Sequence, residues 1–358
     1  MSAQPAPSGS SLQRLPLVTL YLTERCNSRC VTCDYWRHGR IDVDLQGIQR
    51  LLPSLARLRT EVVLISGGEP LLHPQWADIA RLLKSQGLKL WLLTSGLSLA
   101  KHARTASALF DSITVSLDGT TSQSYAAIRG LDAFDPVCAG IRLAAAAGTP
   151  VSIRVTVQRA NFRELPEFVS LAARLGASQV SFLAVDVANP HAFARQDDFR
   201  ADAALQATDL AEFECLIDAL VREQAPRFAS GFIAESPAKL YRILRYFQAV
   251  CAAGPFPPTR CNAPEFSAVI SADGRVQPCF FISGPRHVRA GTDLAAALDD
   301  PDMRALRRDI GAGKRTECER CVCTMWRDTE SLTTYGLLTL PGVTQEASIG
   351  GSAQAALR

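Results

Sequence analysis

Three thiols, Cys26, Cys30 and Cys33, stand in Cys26-Asn-Ser-Arg-Cys30-Val-Thr-Cys33, directly after the apolar run Leu17-Val-Thr-Leu-Tyr-Leu22. Thiolates bind zinc and iron–sulfur clusters, and both a tetrahedral ion and a cubane call for four ligands. This set is one short. It fits a closed zinc site completed from elsewhere in the chain, or a cluster kept open at one iron. A second group follows far downstream: Cys261, then Gly274, Cys279, and Cys318-Glu-Arg-Cys321-Val-Cys323. The stretch from Phe266 to Cys279 alternates like a hairpin around Asp273-Gly274, which can bring Cys261 and Cys279 to one side. The later C-x2-C could complete four ligands, and spacing leaves zinc and an iron–sulfur cluster equally open. Cys138 and Cys215 lie in helix-period stretches and read as buried core residues, and Cys251 as structural.

Shorter polar motifs close other apolar runs. Ser66-Gly67-Gly68-Glu69-Pro70 joins paired glycines, which let backbone approach a ligand, to a carboxylate that can accept from an ammonium group. Thr94-Ser95-Gly96 and Ser116-Leu117-Asp118-Gly119 offer hydroxyls and a carboxylate suited to a ribose. Each alone is equally explained by a turn. His73 reads as a helix-start residue, Asp186 and His191 as members of a solvated loop, and Tyr35 and Trp36 as cover for the cysteines or simple packing.

The elements that must position these residues are legible. Short apolar runs at 17–22, 61–66, 88–94, 111–117, 150–157 and 178–184 read as strands, each followed by a turn signal. Helix-period stretches lie between them near 44–58, 75–86, 98–109, 136–147 and 162–175, with starts at Asp44, Pro74, Ser98, Asp135-Pro136 and Asn161. The alternation predicts an α/β fold, its parallel sheet curled into a closed barrel or a partial (βα)6 TIM-like barrel, with chemistry at the C-terminal strand ends. A lid and helical extension is expected over about 185–250, and a small cysteine-rich α+β module over 258–336, after Gly254-Pro-Phe-Pro-Pro258. Residues 1–15 read as a disordered lead and 337–358 as a flexible tail. With 47% hydrophobic and 20% charged residues the composition is globular, and a net charge of +3 argues for neither nucleic acid nor a membrane surface. The lead lacks signal-peptide order, so a cytoplasmic, reducing setting is expected, where the 11 cysteines serve as ligands and small hydrophobes.

Taken in order, Cx3Cx2C after the first strand, Gly-Gly-Glu-Pro after the second and Ser-Leu-Asp-Gly after the fourth resemble the radical S-adenosylmethionine (SAM) superfamily. The resemblance covers residues 16–184 and implies a partial barrel spanning 16–250. It implies that Cys26, Cys30 and Cys33 hold a [4Fe-4S] cluster whose open iron chelates SAM. An electron passed to the sulfonium then yields a 5′-deoxyadenosyl radical that takes hydrogen from a substrate. By the same resemblance, Gly67, Gly68 and Glu69 face the methionine amino group, Pro70 ends their turn, Ser116 and Asp118 lie near the ribose, and Arg129 pairs with the SAM carboxylate. Val151–Val157 falls where adenine contacts are usual, although the glycines of the commoner pattern are missing, and Thr32 replaces a frequent aromatic residue. Cx12Gx4C followed by CxxC resembles the SPASM domain, here closer to its shortened twitch form. That implies an auxiliary [4Fe-4S] cluster on Cys261, Cys279, Cys318 and Cys321, with Cys323 as a spare or substitute ligand. The expected activity is hydrogen abstraction leading to oxidation, rearrangement or cross-linking, with an electron donor such as flavodoxin or ferredoxin. About fifteen residues precede the first strand, so no leader-gripping domain is expected there. This favours a small metabolite, or a peptide delivered by a separate protein. A ribosomal-peptide maturase and a non-catalytic iron–sulfur or zinc protein are the alternatives.

Overall fold

The computed structural model describes residues 11–187, 189, 192–195, 201–291 and 293–327. All six expected strands form: β1 (Leu17–Thr23), β2 (Val62–Gly67), β3 (Lys89–Thr94), β4 (Ser112–Ser116), β5 (Val151–Val157) and β6 (Gln179–Ala184). They pair in parallel in chain order, and the sheet does not close. Alternate side chains on one face, among them Leu20, Ile65, Leu92, Val115, Ile153 and Phe182, are no more than 3% exposed, as a face roofed by helices requires. The other face carries Tyr21, Ser66, Thr114, Ser116, Arg154 and Thr156 alongside Leu64, Trp91, Leu93 and Leu183, and is the more polar of the two.

Helices α1 (Leu45–Arg57), α2 (Trp76–Ser85), α3 (Leu99–Leu109), α4 (Ser122–Arg129), α5 (Phe134–Ala146) and α6 (Leu165–Arg174) separate the strands. Asp44 caps α1 by accepting from the Gly47 amide, as its position implies. Asn161 does not cap α6; it ties the turn after β5, accepting from the Gln158 amide at 2.9 Å and donating to the Asp118 carbonyl at 2.9 Å. Helix α4 has no counterpart in the sequence-based reading. It is two turns long, closed by a capping box at Thr121 and a left-handed Gly130 (φ 73°), too short for a periodic signal.

Helices α7 (Leu210–Glu223) and α8 (Pro237–Val250) follow as expected. On α7 the buried face is Phe213, Ile217 and Leu220, and Cys215 falls opposite it and is exposed. The expectation of a buried Cys215 is therefore corrected, whereas Cys138 is in the core at 2% exposure. Cys251 Sγ donates to the Leu205 carbonyl at 3.2 Å, a structural contact.

The cysteine-rich region does not stand apart from the barrel. Its hairpin, β7 (Ser267–Ile270) and β8 (Val276–Gln277), forms around Asp273-Gly274, with Gly274 at φ 84°. Strand β7 then pairs in parallel with β1, Leu17 opposite Ser267 through Leu20 opposite Ile270. The single sheet thus runs β6-β5-β4-β3-β2-β1-β7-β8. An unpaired β1 edge would leave its amides and carbonyls unsatisfied, and β7 covers them. Further along, α9 (Pro301–Gly311) completes the region. The lead up to Ser10 and the tail from 337 lie outside the described residues. Among the described residues no helix is long and apolar enough to cross a membrane.

Candidate functional site

The loop leaving β1 is held from both sides. Its entry, Thr23–Arg25, hydrogen-bonds the turn after β2: Gly68 N to Thr23 O at 2.8 Å and Glu69 N to Arg25 O at 2.8 Å. A Cβ on Gly67 (φ 133°) would lie 2.3 Å from the Thr23 carbonyl oxygen, and one on Gly68 2.3 Å from that of Arg25. The paired glycines therefore admit the chain's own cysteine loop. On the other side the end of α4 receives it, with Arg29 N and Val31 N donating to the Arg129 and Ile128 carbonyls, both at 3.0 Å. Cys26, Cys30 and Cys33 share this loop. Burial, with the Cys30 sulfur adding to it, pushes the Cys26 thiol up to about 11 and Cys33 to about 12.

Glu69 does not extend its carboxylate into open space. It is 0% exposed and accepts from Leu71 N at 3.1 Å, Thr94 Oγ1 at 2.7 Å, Ser95 N at 2.7 Å and Ser95 Oγ at 2.6 Å. A carboxylate has about four lone-pair sites, and all are taken. The hydroxyls of Thr94 and Ser95, expected to suit a ribose, are spent on the same carboxylate. Pro70 opens a short 3-10 turn beside them.

Arg129 joins β4 to the cysteine loop. Its Nη1 donates to Cys30 Sγ at 3.1 Å, its Nη2 to the Ser116 carbonyl at 2.8 Å, and its Nε lies 3.4 Å from Asp118 Oδ2. Asp118 also accepts from Thr156 N at 2.7 Å. Burial raises its carboxyl pKa, and Arg129 pulls it back. Its carboxylate thus ties β4 to β5 and α4, a more internal role than the expected ribose contact. Ser116 is half-exposed on the open face, and its hydroxyl makes no hydrogen bond among the described residues.

A strap after β6 crosses the cysteine loop. Arg195 Nε donates to the Thr32 carbonyl at 3.0 Å, and Asp34 N donates to that of Phe193 at 3.0 Å. Asp186, read from sequence as solvated, is 3% exposed and accepts from Asn189 N and Nδ2 at 3.0 and 2.9 Å. His191 lies outside the described residues. His73 is buried, with Nε2 2.8 Å from the Val43 carbonyl, and is structural as expected.

The second group gathers five thiols. Asn262 N donates to Met325 O at 2.9 Å and Arg327 N to Asn262 Oδ1 at 2.9 Å, which zips the Cys318–Cys323 segment onto the residue after Cys261. Burial raises Cys279 to about 12, with Cys261 and Cys318 adding to the shift, and raises Cys318 to about 11, with Cys261 again contributing. Cys321 is raised by burial and then by Cys323, Cys279 and Cys261. Cys323 is no outlier. Its amide donates to Cys321 Sγ at 3.3 Å and its carbonyl accepts from Cys321 at 2.9 Å, inside the same group.

Tyr21 links the two groups. It projects from β1, its ring centroid 5.9 Å from that of Tyr35, and its phenol pKa is raised by burial, Tyr35, Cys33 and Cys279. Strand β7 of the second group pairs with β1, whose end runs into the first, so both groups are joined to neighbouring strands of one sheet. Periodicity in β1 would have placed Tyr21 inward, and α4, too short to detect, concealed how Arg129 reaches Cys30.

The donor set suits clustered iron better than a single ion. Zinc–sulfur bonds of about 2.3 Å put tetrahedral sulfurs about 3.8 Å apart. Among the described residues, the group with three donor atoms all within 4.8 Å is the exposed His287, Asp300 and Asp302, not either cysteine set. Around the first loop, Ser28 Oγ, Trp36 Nε1 and Tyr125 OH are buried without a hydrogen-bond partner, donors that cluster sulfides and SAM could satisfy.

An open parallel partial barrel with three cysteines leaving β1 and a diglycine turn leaving β2 defines a TIM-like radical SAM architecture. Residues 20–172 match the model of the radical SAM superfamily, and that stretch is a radical SAM domain. The cofactors of that superfamily are a [4Fe-4S] cluster and SAM. The mycofactocin maturase MftC of Mycobacterium tuberculosis is 30% identical over 166 residues, covering 45% of this chain and 42% of that protein. The PqqA peptide cyclase of Methylorubrum populi is 31% identical over 185 residues, covering 49% and 48%. The chain spans about half the length of these curated relatives. In fold it is similar to Streptococcus suis SuiB bound to S-adenosylmethionine, with a TM-score of 0.64 at 15% identity over 88% of this chain and 73% of that one. It is also similar to anSMEcpe with bound AdoMet and Cp18Cys peptide, with a TM-score of 0.61 at 17% identity over 86% of each chain.

Proposed function

We propose that this chain is a radical SAM enzyme that reductively cleaves SAM to a 5′-deoxyadenosyl radical and abstracts hydrogen from a small metabolite or peptide. Residues 16–250 form its catalytic barrel, with the strap and helices of about 185–250 as cover, and 258–336 an auxiliary iron–sulfur module. The observation that carries the reading is the pairing of β7 with β1, which joins the strand of the second cysteine group to the strand that runs into Cys26, Cys30 and Cys33. Cys26, Cys30 and Cys33 would hold the first cluster, and Cys261, Cys279, Cys318 and Cys321 the second, with Cys323 near enough to substitute. The cluster's role when bound is to deliver an electron to the SAM sulfonium.

With the Glu69 carboxylate saturated, the methionine amino group falls to main-chain carbonyls of the Gly67–Glu69 turn, and Glu69 rigidifies that turn. Ser116 offers a hydroxyl to the ribose. Arg129 reaches the SAM carboxylate only by turning from Cys30, while Asp118 holds its Nε end. A peptide substrate is favoured by the names of similar proteins, a PqqA peptide cyclase and an anSMEcpe with bound peptide. The electron donor proposed is a flavodoxin or ferredoxin.

Anaerobic reconstitution tests the cofactors: about eight irons per chain are expected for two cubanes. Dithionite-reduced protein given SAM should then release 5′-deoxyadenosine. Bound zinc without a brown chromophore would sink the proposal, and cluster-loaded protein that leaves SAM intact would be an electron carrier instead.

A further inference from the structure

Arg154 is a cation that the SAM reading leaves unused. It lies on β5 with Ser152 and Thr156, on the face opposite Ile153 and Val155, and in register with Ser116 of β4 and Ser181 of β6. Apart from Lys89 at the exposed foot of β3, it is the only charged side chain at the inward positions of β1–β6. Its guanidinium makes no hydrogen bond or ion pair among the described residues, and its Nε is buried without an acceptor. Removing a guanidinium from water without an anion is costly, and such a cost is borne where a ligand brings the countercharge.

The surroundings point the same way. Ser181, the register partner of Arg154, stands two residues before Leu183 on the same face of β6, and Leu183 lines the seam between barrel and cysteine module. At that seam a narrow cleft of about 20 Å³ is lined by Phe182, Ala184, Lys239, Arg242, Tyr246 and Cys321. Arg242 is already committed, donating to the Pro258 carbonyl at 2.7 Å and the Pro257 carbonyl at 3.3 Å. Lys239 borders the opening, with no hydrogen bond from its ammonium among the described residues. The nearby carboxylate Glu235 is no partner for Arg154, since it accepts from Ser181 Oγ at 2.8 Å and Phe182 N at 2.7 Å.

We infer that Arg154 anchors an oxyanion of the substrate, a carboxylate or a phosphate, at the seam between the barrel interior and the second cysteine group, with Lys239 supplying a second charge at the opening. A planar guanidinium grips two oxygens at once, which orients the substrate as well as holding it. That the oxyanion belongs to a substrate rests on the radical SAM reading; that an oxyanion binds at Arg154 does not.

The test is calorimetric titration of anaerobically reconstituted protein with succinate and with inorganic phosphate, each with and without saturating SAM. One probe should bind the wild type at least tenfold more tightly than Arg154→Gln, and Arg154→Lys should recover part of the loss. Binding should persist with SAM in place, and SAM affinity should change less than twofold. The probe that binds distinguishes carboxylate from phosphate. Equal affinity of both probes for wild type and Arg154→Gln overturns the inference. So does loss of probe binding in saturating SAM together with a matching loss of SAM affinity in Arg154→Gln, because the oxyanion would then be SAM's own carboxylate. A wild type that leaves SAM intact refutes the enzyme reading and leaves the oxyanion result to be read from the titration.

Discussion

Glu69→Gln separates two roles for the residue after the paired glycines. If the carboxylate contacts SAM, the substitution is felt in SAM affinity; if it braces the turn, it is felt in stability. The structure supports bracing. Four donors converge on a side chain that is 0% exposed, two of them main-chain amides, Leu71 N and Ser95 N. Hydroxyls can turn to accept from the new amide group, but main-chain N–H groups cannot. Whichever way Gln is placed, its NH2 faces one of these amides and leaves it unsatisfied. An orphaned buried donor costs about 1–3 kcal/mol, and losing charge assistance from the remaining bonds adds about 1 kcal/mol. A destabilisation of about 2–4 kcal/mol is expected in denaturant unfolding of the metal-free protein. SAM affinity of correctly loaded protein should change far less than the ~30-fold that a lost 2 kcal/mol contact implies. Unchanged unfolding combined with a ~30-fold loss of SAM affinity would refute the bracing argument.

Other outcomes follow from the same geometry. Gly68→Ala places a Cβ 2.3 Å from the Arg25 carbonyl oxygen, so it should push the first cysteine loop aside. Reconstituted iron should fall from about eight to about four per chain, with the second cluster retained. Cluster ligands must be deprotonated, and burial holds Cys26, Cys33, Cys279 and Cys318 at about 11–12. Iron uptake by the metal-free protein should therefore accelerate between about pH 7 and 9, and a flat profile would contradict the assignment. These thiols titrate above their unfolded value of 9.0, so the metal-free fold has their full contribution below that pH and loses it as pH rises toward 11–12. In cluster-loaded native protein, iodoacetamide should label Cys215 and spare Cys138, as peptide mapping by mass spectrometry can show.

Much of this protein is written locally. The six strands and most of their helices follow from runs of apolar residues and turn signals, because hydrophobic period and turn chemistry act over a few residues. The cysteine loop after β1 and the diglycine turn after β2 were legible for the same reason: their chemistry depends on residue type at short spacing. Tertiary structure decided what those residues face. Gly67 and Gly68 make room for Thr23–Arg25, and Glu69 meets Thr94 and Ser95, because parallel pairing of β1, β2 and β3 brings three separate loop starts to one end of the sheet. Strand β7 completes the open edge of β1, which no local pattern announces, and that pairing sets Cys279 near Tyr21. Arg154 was visible as a charge in an apolar strand, yet its isolation became evident only once the neighbouring carboxylates had their partners. Spacing specifies which ligands the chain offers, and long-range packing determines which of them remain available.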